Sequence, residues 1–449
     1  MNAPDRTKAH QGTDQSLEHY WMPYTDNPRF KAAPKMIVGA KDMHYRLEDG
    51  REVIDGLATL WCVNAGHCRP KIVEAIRKQA GELDFAASFS TGHPLAFKLA
   101  ERIADLAPEG MDHVFFTNSG SEAVDTVMKM AVAYHRIRGD GTRTRFIGRE
   151  KSYHGVNIGG MSVSGVPSNR KAYGGLLLGG VDHLRHTQDL KTRAFTRGCA
   201  ASGAELADEL EQRIVPLHDA SNIAAVIVEP VSGAGGVLVP PQGYLKRLRE
   251  ICTRHGILLI FDEVICGFGR LGKPFASQYF GVIPDMITFA KGVTSGSTPL
   301  GGVIVKKDIY ETFMQSQGAG VQFFHGYTYS GHPLSSAAGL AALDTYAEEN
   351  LFDRPNQLGK AFEDGIHSFK GARYVIDCRN LGLMGAVELA PREGAVGARG
   401  FEVFEKCWEK GVFVRPVGDN MAFCPPLICE KKHLDQIFGT VTEVLATID

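Results

Sequence analysis

Apolar and polar positions alternate in two rhythms along this chain. Three short, continuous apolar runs stand at Ile223–Val228, 257–261 and 286–290, each followed or ended by an ionisable residue: Glu229, Asp262 and Lys291. Runs of this length, with no polar alternation, predict strands buried on both faces of a parallel sheet. The ionisable residues are spaced by 33 and 29 positions, close to the length of a strand–helix–strand unit. The amphipathic stretch Tyr244–His255 supplies the intervening helix. If the three strands are neighbours, two acids and a lysine emerge at one carboxyl edge, where open α/β sheets bind ligands.

Elsewhere, 36–38 and the stretch 45–53, with its Glu48-Asp49-Gly50 turn, predict short strands. The segment 70–81 predicts a helix stopped by glycine. Strands are expected at 113–116, 146–147 and 302–305, a helix at 121–138, a glycine-rich stretch up to Gly165 and a loop at 187–203. A long helix over 334–348 leads to strands at 374–378, 384–388 and 412–415. This alternation predicts an α/β protein.

Composition narrows the class. A chain of 449 residues with 44% hydrophobic and 22% charged residues is ordinary for a globular enzyme. A net charge of −2 leaves no basic footprint for nucleic acid. No apolar run reaches the roughly 18–20 residues that cross a bilayer, so no membrane association is expected. The start, residues 1–16, is polar and lacks the apolar stretch of a secretory signal, so no export is expected and the segment is expected to be mobile. Nine scattered cysteines then read as reduced thiols in the cytoplasm. The pairs Cys62/Cys68 and Cys424/Cys429 lack zinc-site spacing, and no metal is expected.

Candidate chemistry gathers at two places. The run 114–130 reads as strand, tight turn and helix, and Ser119-x-x-Glu122 fits a capping box that starts the helix near Gly120 and Ser121. The free N–H groups and dipole there suit a phosphate. The turn has neither G-x-G-x-x-G nor the Walker lysine, which counts against a dinucleotide or ATP. Lys291, at the end of an apolar strand, can serve as an amine nucleophile toward an aldehyde. Asp262 needs a cationic partner, either a protonated pyridine nitrogen or, on the structural alternative, Lys291 or an arginine.

The ordered set FTNSGSEA, YHG, VEP, FDEV-x-x-GFGR, AKG and HGYTYSGHP resembles class III, or omega-type, aminotransferases, over nearly the whole chain from Trp21 onward. WMPYTDNPRF, LWCVNAGH, YHGVNIGG, LHDASNIAAVIVEPVSGAGGV and VRPVGDN are most similar to the omega-amino acid:pyruvate, or beta-alanine:pyruvate, members. The resemblance implies pyridoxal 5'-phosphate held covalently by Lys291, with Asp262 on the pyridine nitrogen and Glu229 near that acid. It implies Val264 and Tyr153 on the two ring faces and Gly120 and Ser121 at the phosphate. It further implies Thr328 reaching the phosphate of a neighbouring subunit, Trp61 and Phe89 lining the substrate pocket, and Arg415 binding the substrate carboxylate. Ala422 stands where close relatives carry glutamine, and the segment GVTSGSTPLGG after Lys291 also departs from them.

The resemblance thus implies fold type I: a large, mainly parallel α/β domain over 71–331, and a smaller α/β domain from 332–449 joined by 1–70. It implies a homodimer with shared sites, with pairing into a homotetramer left open. The expected reaction moves nitrogen from beta-alanine, another omega-amino acid or a primary amine to pyruvate. Donors such as 4-aminobutyrate, taurine or a diamine, or a different pyridoxal phosphate reaction on the same fold, remain as alternatives.

Overall fold

The computed structural model describes residues 16–316 and 320–449, so the polar start expected to be mobile lies, up to residue 15, outside the described residues. At its centre is a seven-stranded sheet in the spatial order His113–Thr117, Gly301–Val305, Met286–Phe289, Leu258–Asp262, Ile223–Val228, Arg145–Arg149 and Val181–Leu184. The three apolar runs are adjacent, parallel strands. Every residue of those three strands is buried, which is why they read as apolar stretches broken only by Thr288 and ended in one case by Asp262. Each Ile or Val buried there contributes roughly 1.5–3 kcal/mol. Only Gly301–Val305 runs antiparallel to its neighbours, so the sheet is mixed but mainly parallel.

Two four-stranded sheets complete the fold. One joins Ile37–Lys41, His44–Leu47 and Glu52–Asp55 to the C-terminal strand Val412–Phe413. The other orders Val375–Leu381, Met384–Leu389, Asn420–Phe423 and Arg415–Val417. The single strand expected over 412–415 is therefore two. Phe413 pairs with Asp55 in the first sheet, the chain crosses at the buried Val414, and Arg415 pairs with Ala422 in the second. Pro416, which has no N–H to give, sits on the edge strand of that second sheet, where the missing donor costs no inner ladder bond.

The helix Gly120–Ile137 begins where expected, but the cap is only half of a capping box. Ser119 Oγ accepts from Glu122 N at 3.2 Å, while the Glu122 carboxylate accepts from Asn118 N at 2.7 Å rather than from Ser119 N. Among the described residues, no helix is long and apolar enough to cross a membrane.

Candidate active site

Glu229, Asp262 and Lys291 leave three neighbouring strands at one edge and line the same cavity, about 400 Å³ in volume. Gly120, Ser121, Tyr153, Val264, Trp61 and Arg415 line it too. Phe89 and Thr328 do not: both are exposed on this chain, Phe89 at 61%. Sequence reasoning missed Tyr24, Leu60, Asn169 and Ile265, which also line the cavity. Tyr24 was visible only as part of a quoted motif.

Asp262 is 5% exposed, yet its partner is neither Lys291 nor an arginine. Its Oδ2 accepts from His154 Nδ1 at 2.7 Å, and its Oδ1 accepts from Thr288 Oγ1 at 3.1 Å and Val264 N at 3.2 Å. Because a carboxylate can only accept here, the proton of His154 sits on Nδ1. The other ring nitrogen, Nε2, is buried with no hydrogen-bond partner among the described residues. His154 belongs to the motif YHG, which by itself assigns it no role.

Glu229 lines the same cavity as Asp262, and its hydrogen bonds go to the backbone and a hydroxyl beside it. Its carboxylate accepts from Tyr153 N at 2.9 Å, Ser232 Oγ at 2.9 Å and Gly233 N at 2.8 Å, so its bonds fix the Tyr153 backbone and the following loop. Burial pushes its carboxyl above the ordinary range. The Tyr153 phenol is pushed up to about 12, first by burial and then by the neighbouring Tyr24, and is neutral at physiological pH.

Lys291 has a positive φ of 51°, and its ammonium lies 5.7 Å from the Trp61 ring centroid. Among the described residues it forms no ion pair. Arg415 likewise has no carboxylate partner among the described residues, and burial lowers its hold on the proton. A partly desolvated guanidinium without a counter-ion suits an anionic ligand.

Gly120 and Ser121, the first residues of an 18-residue helix, line the same cavity. A Cβ on Gly120 would come within 3.0 Å of both Val264 methyl groups. At Gly155 the φ is +97°, and a Cβ would lie 2.5 Å from Ser121 Oγ. Glycine at both positions lets Val264 and Ser121 pack closely around the start of the helix.

A mainly parallel sheet with a lysine, a buried acid and a helix N-terminus facing one cavity defines a fold-type-I enzyme of the pyridoxal phosphate class. The family comparison places it further: the chain belongs to the class III aminotransferases, whose family description matches residues 27–445. These are pyridoxal-phosphate-dependent enzymes, and this chain is an aminotransferase. It is 56% identical to the omega-aminotransferase of Caulobacter vibrioides, over 96% of this chain and 98% of that one. It is 50% identical to the beta-alanine–pyruvate aminotransferase of Pseudomonas aeruginosa, over 99% of each. Among solved structures it is similar to the omega transaminase of Pseudomonas jessenii in complex with PMP, with a TM-score of 0.89 and 34% identity over 95% of this chain and 96% of that one.

Proposed function

We propose that this enzyme moves an amino group from beta-alanine, another omega-amino acid or a primary amine to pyruvate, giving alanine. One observation carries the reading: a buried, anchored carboxylate lines one cavity with a lysine and an arginine that form no ion pair among the described residues. The names of the two most similar relatives quoted above support the donor and acceptor.

The cavity's residues fit the cofactor. Gly120 and Ser121, with the helix N-terminus, would take the phosphate, and the missing Cβ at Gly120 lets Val264 pack against the helix start. Tyr153 and Val264 would flank the ring, and Asp262 would face its nitrogen. Bound pyridoxal phosphate supplies an aldehyde that captures amines and a ring that accepts the electrons of the bond broken at the substrate carbon. Lys291 would hold the aldehyde carbon and then carry the proton away from the substrate carbon and back. Arg415 would grip the carboxylate of pyruvate, and Trp61 and Leu60 would form the wall against the donor's carbon chain.

We further place the enzyme in the cytoplasm as a homodimer, with Thr328 of the partner subunit reaching the phosphate and Phe89 of the partner subunit closing the pocket. The exposure of Phe89, Phe97, Phe324 and Tyr329, at 61%, 73%, 90% and 56%, supports a covered face. In this reading residues 71–331 hold the cofactor, and 1–70 with 332–449 form the smaller domain. The test is alanine formation from pyruvate with beta-alanine, 4-aminobutyrate, taurine and 1-phenylethylamine as donors. Beta-alanine or the arylalkylamine should give alanine. Alanine from none of them, or from 4-aminobutyrate alone, would overturn the assignment.

A further inference from the structure

The residues that carry Trp61 are held in a conformation their sequence does not favour. Ala58, Thr59 and Trp61 have φ values of 47°, 63° and 57°, so three of four consecutive residues sit in the left-handed region without glycine. Such conformations persist only when the surroundings over-determine them, and they concentrate at functional sites.

What over-determines them is Asp55, a fully buried carboxylate at the end of the strand Glu52–Asp55. Its Oδ1 accepts from Leu57 N at 3.0 Å. Its Oδ2 accepts from Thr59 N at 2.7 Å, Thr59 Oγ1 at 3.3 Å and His67 Nε2 at 2.8 Å. With its proton given to Asp55, the Thr59 hydroxyl accepts from the hydroxyl of Tyr45, whose ring packs on His67 with centroids 4.5 Å apart. The neighbouring Gly56 N donates to Phe413 O at 2.9 Å, two residues before Arg415. The same short segment thus ties the Trp61 wall to the strand that delivers the arginine.

We propose that Asp55 is a positioning residue for substrate selection: its carboxylate holds 57–61 in place and so sets the width of the pocket at Leu60 and Trp61. This rests on the reading of those two side chains as the substrate wall. Asp55 touches neither the lysine nor the acid of the site, so its loss should alter which donors fit and leave the cofactor's surroundings intact.

Asp55→Asn is the direct test, because its amide N–H₂ would face donors that now meet an acceptor. In the cofactor-loaded dimer, the cofactor absorption band should be unchanged and kcat should stay within about threefold. The KM for beta-alanine should rise about tenfold, as expected when a charge-assisted bond that shapes the pocket is lost. The kcat/KM ratio of 1-phenylethylamine to beta-alanine should shift about fivefold. Thr59→Val, which removes only the hydroxyl link, should move that ratio the same way by a smaller factor. A folded, loaded Asp55→Asn enzyme with KM and ratio within twofold of the parent overturns the proposal, as does an unchanged ratio in Thr59→Val should Asp55→Asn fail to fold. Trp61→Ala separates the two levels. If it leaves the ratio unmoved, the wall itself is misread and the role of Asp55 falls with it; if it moves the ratio while Asp55→Asn does not, only the role of Asp55 fails.

Discussion

His154 offers the sharpest perturbation of the site, because among the described residues it gives Asp262 one of three hydrogen bonds and its ring makes no other hydrogen bond. Replacing it by leucine keeps the bulk and removes the Nδ1 proton. Asp262 would retain Thr288 Oγ1 and Val264 N, the two longer contacts at 3.1 and 3.2 Å, and lose the shortest at 2.7 Å. A hydrogen bond to a charged group in such a setting is worth about 1.5–3 kcal/mol. At about 1.4 kcal/mol per decade, this corresponds to a loss of roughly 10- to 150-fold in whatever depends on that carboxylate staying ionised and oriented. If Asp262 faces the pyridine nitrogen, the loss appears in cofactor affinity, read by titrating the apoenzyme with pyridoxal phosphate, and in the rate of a single half-reaction with excess donor. His154→Asn can place an amide N–H near the former Nδ1 and should recover most of the loss. A folded His154→Leu enzyme with cofactor affinity and half-reaction rate within twofold of the parent would refute the chain of reasoning from bond to carboxylate to cofactor.

Two further outcomes follow from the geometry. Arg415→Ala removes a guanidinium that has no counter-ion among the described residues, so the KM for pyruvate should rise by about 10- to 150-fold, the equivalent of losing one charge-assisted contact, while the KM for 1-phenylethylamine, which has no carboxylate, should change far less. Equal rises for both would count against a carboxylate-binding role. Glu263 is fully buried, and that burial pushes its carboxyl up to about 7 from an ordinary 4.5. Between those values the unfolded chain has released the proton and the folded chain still holds it, so stability falls as pH rises through the window. Against Glu263→Gln, which cannot titrate, the parent should lose about 3 kcal/mol of relative stability between pH 4.5 and 7. Unfolding by urea at the two pH values measures the difference, and a flat difference would show that the proton is not retained.

What the sequence displays well is whatever a local pattern determines. The three buried strands show as apolar runs because both of their faces are covered, and Ser119 shows as a helix start because capping is settled within four residues. Bonds that span the sheet edge leave no such trace. His154 and Asp262 are 108 positions apart, and nothing near either residue distinguishes a histidine that orients an acid from one that packs beside a tyrosine. The apolar stretch 412–414 fits one strand as well as two, and it divides only because Asp55 claims Phe413 while Ala422 claims Arg415. Residues 57–61 pose the same problem in reverse: Ala58 and Trp61 have no local reason to adopt a left-handed backbone, and no propensity would predict it. In that conformation the N–H and hydroxyl of Thr59 both donate to a buried carboxylate four residues earlier, which also accepts from His67. The shape of the cavity wall at Leu60 and Trp61 is therefore a consequence of tertiary hydrogen bonding. If that wall selects the donor as proposed, variation at Asp55, Tyr45 or His67, none of which lines the cavity, should change donor preference without touching the residues that line it.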